Sequence, residues 1–284
     1  MKTRIIVGVL CALFAIGCLV GIGYGYVAYI AIIEAAVSVL SVHEIMGVSG
    51  CKNKILTSLY MLIAAFVPFY VSFDLGWFIP FTALTMVAVL VIASLLLMLK
   101  MYAKTRFENV AIGLFACLAI PNSLACLSRV VTLCDANSAV LTRANAVYLL
   151  LMSMYCAWLN DTFALFVGMK FGKHKMSPNI SPKKSIEGAL GGIVGTTLFA
   201  VATFLICDNF YFKLHNLKLW MVIIGIPVLC VMGICGDLAA SVIKRNYGVK
   251  DFGTLLPEHG GATDRIDSFL LTLPTVYLIL TFIL

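Results

Sequence analysis

Apolar runs of about 20 residues recur through this 284-residue chain, each long enough to cross a hydrocarbon core of about 30 Å as a helix. That repetition constrains the fold more than any motif does. Lipid offers backbone N–H and C=O groups no partners, so only helices or closed barrels cross it, and no period-two alternation suggests a barrel. Only 12% of residues are charged and the mean hydropathy is +1.05, far more apolar than a soluble domain of this length requires. The expected fold is an all-α, polytopic membrane protein, a single integral membrane domain over 1–284. About nine transmembrane helices are expected, roughly at 5–22, 25–46, 55–73, 78–99, 109–128, 146–169, 188–207, 219–242 and 264–283.

The cations orient these spans. With the N-terminus in the cytoplasm, the inward connections hold sixteen Lys and Arg residues and the outward ones four, Arg129, Arg143, Lys213 and Lys218. Cytoplasmic connections carry such an excess, so the C-terminus is expected outside. The opening MKTRIIVGVLCALFAIGC has the basic and apolar regions of a signal peptide but no A-x-A-like site after them, and reads as an uncleaved first span. Most of the ten cysteines lie inside apolar runs, with no C-x-x-C or Cys/His pairing, so neither zinc nor a disulfide framework is indicated. The net charge of +7 follows mainly from the inward cations and also suits an anionic lipid surface or an anionic substrate.

Polar residues at membrane depth divide the chain. Residues 1–140 read as an apolar helical scaffold, with Glu34, His43 and Glu44 as exceptions. Residues 141–284 hold Asn160 and Asp161, then Asp237 and Ser241, then Asp264 and Asp267, and read as the catalytic half with a site facing the cytoplasm. An ionisable group inside a span costs about 2.5–3.5 kcal/mol on insertion scales, so each is a functional candidate.

Residues 241–268, SVIKRNYGVKDFGTLLPEHGGATDRIDS, gather charges of both signs. On a helix Asp237, Ser241, Lys244 and Arg245 share one face, with Asp237 about 10 Å below the Lys-Arg pair. A carboxylate at that depth needs a cation, either a lysine or a metal. Thr263 is placed as the N-cap of the last span, with Asp264 and Asp267 in its first turn or so. The Gly260-Gly261 pair before it lets backbone approach a ligand, and helix-start N–H groups suit phosphate. Lys250, His259 and Arg265 lie close by in sequence. Carboxylates for Mg²⁺ beside cations for phosphate oxygens are what phosphoryl or nucleotidyl transfer uses. The plainer alternatives stand beside this: Lys244-Arg245 as the cationic end of a span, and Asp264 and Asp267 as dipole partners.

A second cluster runs from Asp161 through the lysine-rich connection 170–187. Ser181-Pro182 is placed as the start of the next helix, Lys183 and Lys184 as phosphate ligands or ordinary inward cations, and Glu187 as a capping residue. Gly188, Gly191, Gly192 and Gly195 form small-xxx-small pairs suited to helix packing.

Taken together, Gly236-Asp237, Ser241, Lys244-Arg245, Lys250-Asp251, Pro257-Glu258-His259-Gly260-Gly261 and Asp264-Arg265-Ile266-Asp267 resemble the signature of the phosphatidate cytidylyltransferases (CDP-diacylglycerol synthases). Asp161-Thr162 and Ile180-Ser181-Pro182-Lys183-Lys184 through Gly192 are similar to further stretches of that family. The short chain is most similar to its bacterial form, while Ala240, Glu258 and Ala262 depart from the usual residues. The resemblance implies that CTP and phosphatidate give CDP-diacylglycerol and pyrophosphate in the bacterial inner membrane. It further implies Mg²⁺ held by Asp237, Asp264 and Asp267, K⁺ as a second cation beside it, and a homodimer with no nucleic-acid partner. Lys244 and Lys250 are then catalytic, and Ser241, Arg245, His259, Gly260, Gly261, Arg265, Ser181, Lys183, Lys184 and Asp161 bind substrate. Two other readings fit the chain less well: a CTP-dependent kinase of a membrane alcohol, which would release CDP, and an anion transporter, against which the one-sided polar cluster and the lack of an inverted repeat argue.

Overall fold

The computed structural model describes residues 16–73, 83–211, 214, 216–255 and 260–284. Apart from one small hairpin its regular structure is helical: α1 (Val27–Val48), α2 (Lys54–Ser72), α3 (Ala83–Lys100), α4 (Phe107–Ala136), α5 (Arg143–Met154), α6 (Asn160–Phe171), α7 (Ile186–Ile206), α8 (Leu219–Asn246), the single turn α9 (Thr263–Ile266) and α10 (Phe269–Ile283). Seven helical stretches among the described residues are long and apolar enough to cross a membrane, which agrees with a polytopic helical membrane protein. The expected spans 5–22 and 78–99 fall partly outside the described residues.

The chain forms two compact units. One contains Tyr26–Ser128 and Tyr247–Arg265, the other residues 16–25 with Arg129–Asn246 and Ile266–Leu284. The segment Tyr247–Arg265 thus groups with Tyr26–Ser128.

In the first unit, buried polar groups tie the helices where lipid would offer them nothing. Glu34 of α1, 3% exposed, accepts from the backbone N–H of Ser128 at 3.0 Å and from its hydroxyl at 2.6 Å; Ser72 of α2 donates to the same Ser128 oxygen at 2.9 Å. Asn53 caps α2 by accepting from Ile55 and Leu56, and its amide donates to Thr105 at 2.8 Å. A side-chain oxygen at this position satisfies N–H groups that a helix start leaves without partners.

In the second unit α6 and α7 pack through glycine. A Cβ on Gly188 would lie 2.7 Å from the carbonyl oxygen of Ala164, and one on Gly192 would lie 2.6 Å from Oδ1 of Asn160. Gly191 and Gly195 are likewise filled by Val167 and Phe163, so the small-residue pairs do serve helix packing. Between α6 and α7 lies an antiparallel hairpin, β1 (Lys175–Ser177) and β2 (Ser181–Ser185). This corrects the expected helix start at Ser181-Pro182. Ser185 is the cap, accepting from Gly188 N–H at 3.1 Å, because the apolar run that a helix can bury begins only at Ile186. Glu187, placed in the same first turn, clasps the base of the hairpin through the backbone N–H groups of Lys173 and His174 and the His174 ring.

Candidate functional site

The α5–α6 stretch is one helix interrupted by a π-helical turn, Tyr155–Leu159. The turn precedes Asn160 and Asp161, and such single-turn insertions re-aim the side chains that follow them. Asn160 is buried at 1% exposure, with Oδ1 lacking a hydrogen-bond partner. With Asp161, Ser181, Lys183 and Lys184 it lines a cleft of about 680 Å³, whose other wall is apolar and includes Leu165, Met169 and Ile234. The structure therefore brings four of the sequence-predicted residues to one concavity.

Lys184 binds this cleft to α8. Its ammonium donates to Oδ2 of Asp237 and lies 3.7 Å from Oδ1 of Asp161. Burial works to lower the Lys184 pKa, but the charges of Asp161 and Asp237, the hydrogen bond to Asp237 and the charge of Asp267 outweigh it and raise the value above the ordinary range. The cation required by Asp237 is thus a lysine from the hairpin. Two turns along α8, Lys244 lies 4.0 Å from Asp267, with the two side chains only 10% and 13% exposed. Ser241 lies between Asp237 and Lys244 in sequence and is half-buried. Arg245 is exposed, its Nε donating to the Ile180 carbonyl at 3.4 Å.

The remaining signature residues belong to the other unit. Asp264 is buried and its Oδ2 accepts from the N–H of Phe252 at 2.8 Å and of Gly261 at 2.9 Å. Glu44, near the C-terminal end of α1, accepts from Ala262 N–H at 2.8 Å, Thr263 N–H at 2.9 Å and the Thr263 hydroxyl at 2.9 Å. Thr263 is therefore the first residue of α9 and donates its hydroxyl to Glu44, correcting its placement as N-cap of the last span. That span also breaks: α9 ends at Ile266, Asp267 Oδ1 accepts from Ser268 N–H at 2.8 Å, and α10 starts at Phe269. Gly260 has φ +81, which a side chain rarely adopts, and a Cβ on Gly260 would meet Asp264 Oδ2 at 2.8 Å. The backbone N–H groups expected to meet phosphate are donated to these two carboxylates. Lys250 and Arg265 are exposed, and His259 lies outside the described residues. Sequence reasoning gave Glu44 no role; its one signal was a carboxylate inside an apolar run.

A model of the cytidylyltransferase family matches residues 2–283. The chain belongs to that family. Among curated members, the phosphatidate cytidylyltransferase of Staphylococcus haemolyticus (strain JCSC1435) is 38% identical over 139 residues, 49% of this chain and 51% of that protein. Those of Staphylococcus aureus (strain COL) and Staphylococcus epidermidis (strain ATCC 35984) are 39% and 40% identical over stretches of the same length. The chain spans about half the length of the curated relatives it matches.

For a metal, this cytidylyltransferase-family chain offers carboxylate oxygens, the hard donors that Mg²⁺ takes. Among the described residues no three His, Cys, Asp or Glu groups lie close enough to hold an ion by themselves. Mg²⁺ commonly needs only one or two carboxylates when substrate phosphates and water complete its shell. Asp237 and Asp267 fit that role. A Cβ on Gly236 would lie 2.6 Å from the Asp267 carbonyl oxygen, so the Asp267 backbone packs against α8 one residue before Asp237.

Proposed function

We propose that the chain transfers the cytidylyl group of CTP to phosphatidate, forming CDP-diacylglycerol and pyrophosphate for phospholipid biosynthesis. Family membership and relatives named phosphatidate cytidylyltransferase support the reading. The observation that carries it is Lys184, which lines an apolar-walled cleft beside Asp161 and is paired with Asp237, among helices long enough to span lipid. A lipid headgroup and a soluble nucleotide meet only at a membrane surface, and lysines beside carboxylates are the groups their phosphates need there.

A phosphatidate phosphate oxygen attacks the α-phosphorus of CTP, a new P–O bond forms, and the bond to the β-phosphate breaks to release pyrophosphate. The attacking oxygen is already ionised, so no protein nucleophile is required. Lys183, Lys184 and Lys244 hold phosphate oxygens and offset charge as it shifts to the leaving group. Asp237 and Asp267 would hold Mg²⁺, and the ion would draw negative charge off the phosphates. The sixteen-to-four distribution of cations supports an inner-membrane protein with nine spans and its site toward the cytoplasm.

The test uses purified protein in lipid with phosphatidate and CTP labelled at the α-phosphate. Label should enter a chloroform-soluble product only with both phosphatidate and Mg²⁺ present, be abolished by EDTA and return with added Mg²⁺. Release of labelled CDP in the presence of a membrane alcohol, with no labelled lipid, would replace this reading by a kinase.

A further inference from the structure

Glu44 stands at the wrong end of its helix. It lies just over one turn from the C-terminus of α1, where the helix dipole disfavours negative charge. What compensates it is three donors from a segment 218 residues away, the N–H groups of Ala262 and Thr263 and the Thr263 hydroxyl, all within 2.9 Å. Backbone also closes round it from the other direction. A Cβ on Gly253 would lie 2.6 Å from Glu44 Oε1, and a Cβ on Gly261 would collide with both carboxylate oxygens. Asp264 performs the complementary fastening, joining Phe252 N–H to Gly261 N–H through one oxygen. Two carboxylates, one local and one from α1, therefore pin both ends of residues 252–263.

We propose that Glu44 is a positioning residue for the Gly260-Gly261 to Asp264-Arg265 part of the signature, the post around which that segment is shaped. This rests on the reading of the chain as a cytidylyltransferase acting on phosphatidate. Glu44 does not touch substrate. It fixes the backbone from which the signature side chains project, and it makes Gly253 and Gly261 necessary by leaving no room for a side chain. An amide in its place sets an N–H₂ donor against a backbone N–H donor, removing one bond and leaving the second donor without an acceptor.

The test compares wild-type protein, Glu44→Gln, Glu44→Asp and His43→Ala in lipid nanodiscs, by amide hydrogen exchange and by steady-state kinetics. His43 is the exposed neighbour on α1 and controls for disturbance of the helix end. In Glu44→Gln, exchange should quicken in peptides covering 252–264 and stay at the wild-type rate in α1 and α2. Its kcat should fall by about tenfold to a hundredfold, the loss expected for a hydrogen bond to a charged group. KM for phosphatidate should stay within about twofold, since the groups lining the cleft are untouched. Glu44→Asp, which keeps both acceptor oxygens on a shorter stem, should recover part of that kcat, and His43→Ala should match wild type. Unchanged exchange at 252–264 in Glu44→Gln would overturn the proposal. So would exchange that quickens equally in α1 and α2, because Glu44 would then only hold the helices together. If wild-type protein transfers no cytidylyl group, the functional reading fails, while the exchange comparison still decides whether Glu44 shapes the segment.

Discussion

Lys183 and Lys184 are adjacent and alike in type, yet Lys183 is exposed while Lys184 is held by Asp237 and Asp161. Lys184→Met should therefore cost far more than Lys183→Met. Leaving Asp237 without its ammonium should lower stability by about 1–3 kcal/mol, read as a lower thermal midpoint, and cut the proposed cytidylyl transfer at least about a hundredfold. The raised Lys184 pKa gives this contribution a pH signature. A lysine whose folded value lies above its unfolded value of 10.5 stabilises fully below that pH and loses the contribution as pH rises through the folded value. The thermal difference between wild type and Lys184→Met should stay level from neutral pH to about pH 10 and vanish only above the ordinary lysine range. Asp264 calls for a different expectation. Asp264→Asn would remove an acceptor shared by Phe252 and Gly261 N–H, so it should quicken hydrogen exchange at 252–261 as well as reduce activity. Asp237→Asn should reduce activity without that change. The residue types of the site were legible in the chain, since acids and lysines at membrane depth stand out against apolar surroundings. Their partners were not: Lys184 meets Asp237 across 53 residues and Glu44 meets Thr263 across 219, and spacing carries no information about such contacts.

Among the elements, helices were legible from apolar run length and their starts were not. Ser181-Pro182 and Ser185 both carry start signals, and Ser185 is the one that caps because Ile186 opens the apolar face. Pro182 instead sits in a strand of a two-stranded hairpin, where an edge position tolerates its missing N–H. Ser185→Ala should therefore lower the thermal midpoint by an amount equivalent to about 1 kcal/mol, and Ser181→Ala should leave it unchanged. The glycine contacts of α6 and α7 were legible as a spacing, but the spacing does not say which atoms fill the gaps. The structure puts Asn160 against Gly192, so the helix contact and the cleft wall share a residue.

For the whole molecule, the decisive quantity is the number of crossings, because it sets on which side of the membrane the hairpin and its cleft lie. Counted from the hairpin, α7, α8 and the stretch Thr263–Phe282 should cross in turn, placing residues 173, 217, 250 and 284 alternately inside, outside, inside and outside. The last crossing is the most demanding. The helix breaks after Ile266, and α10 alone has 15 residues, about 22 Å at 1.5 Å each, short of a core of about 30 Å. Thr263–Phe282 as a whole has 20 residues, enough to cross only if the broken turn around Asp267 lies within the membrane thickness. Irregular backbone at that depth is tolerated where it is buried in protein or lines a polar cavity, and Asp267 with Lys244 beside it supplies such surroundings. Fusions ending at residues 173 and 250 should therefore make green fluorescent protein fluoresce, and fusions ending at 217 and 284 should make alkaline phosphatase active. A fluorescent fusion at 284 would mean that α10 enters and returns on the cytoplasmic side, which would leave eight crossings and make the break at Asp267 a re-entrant turn.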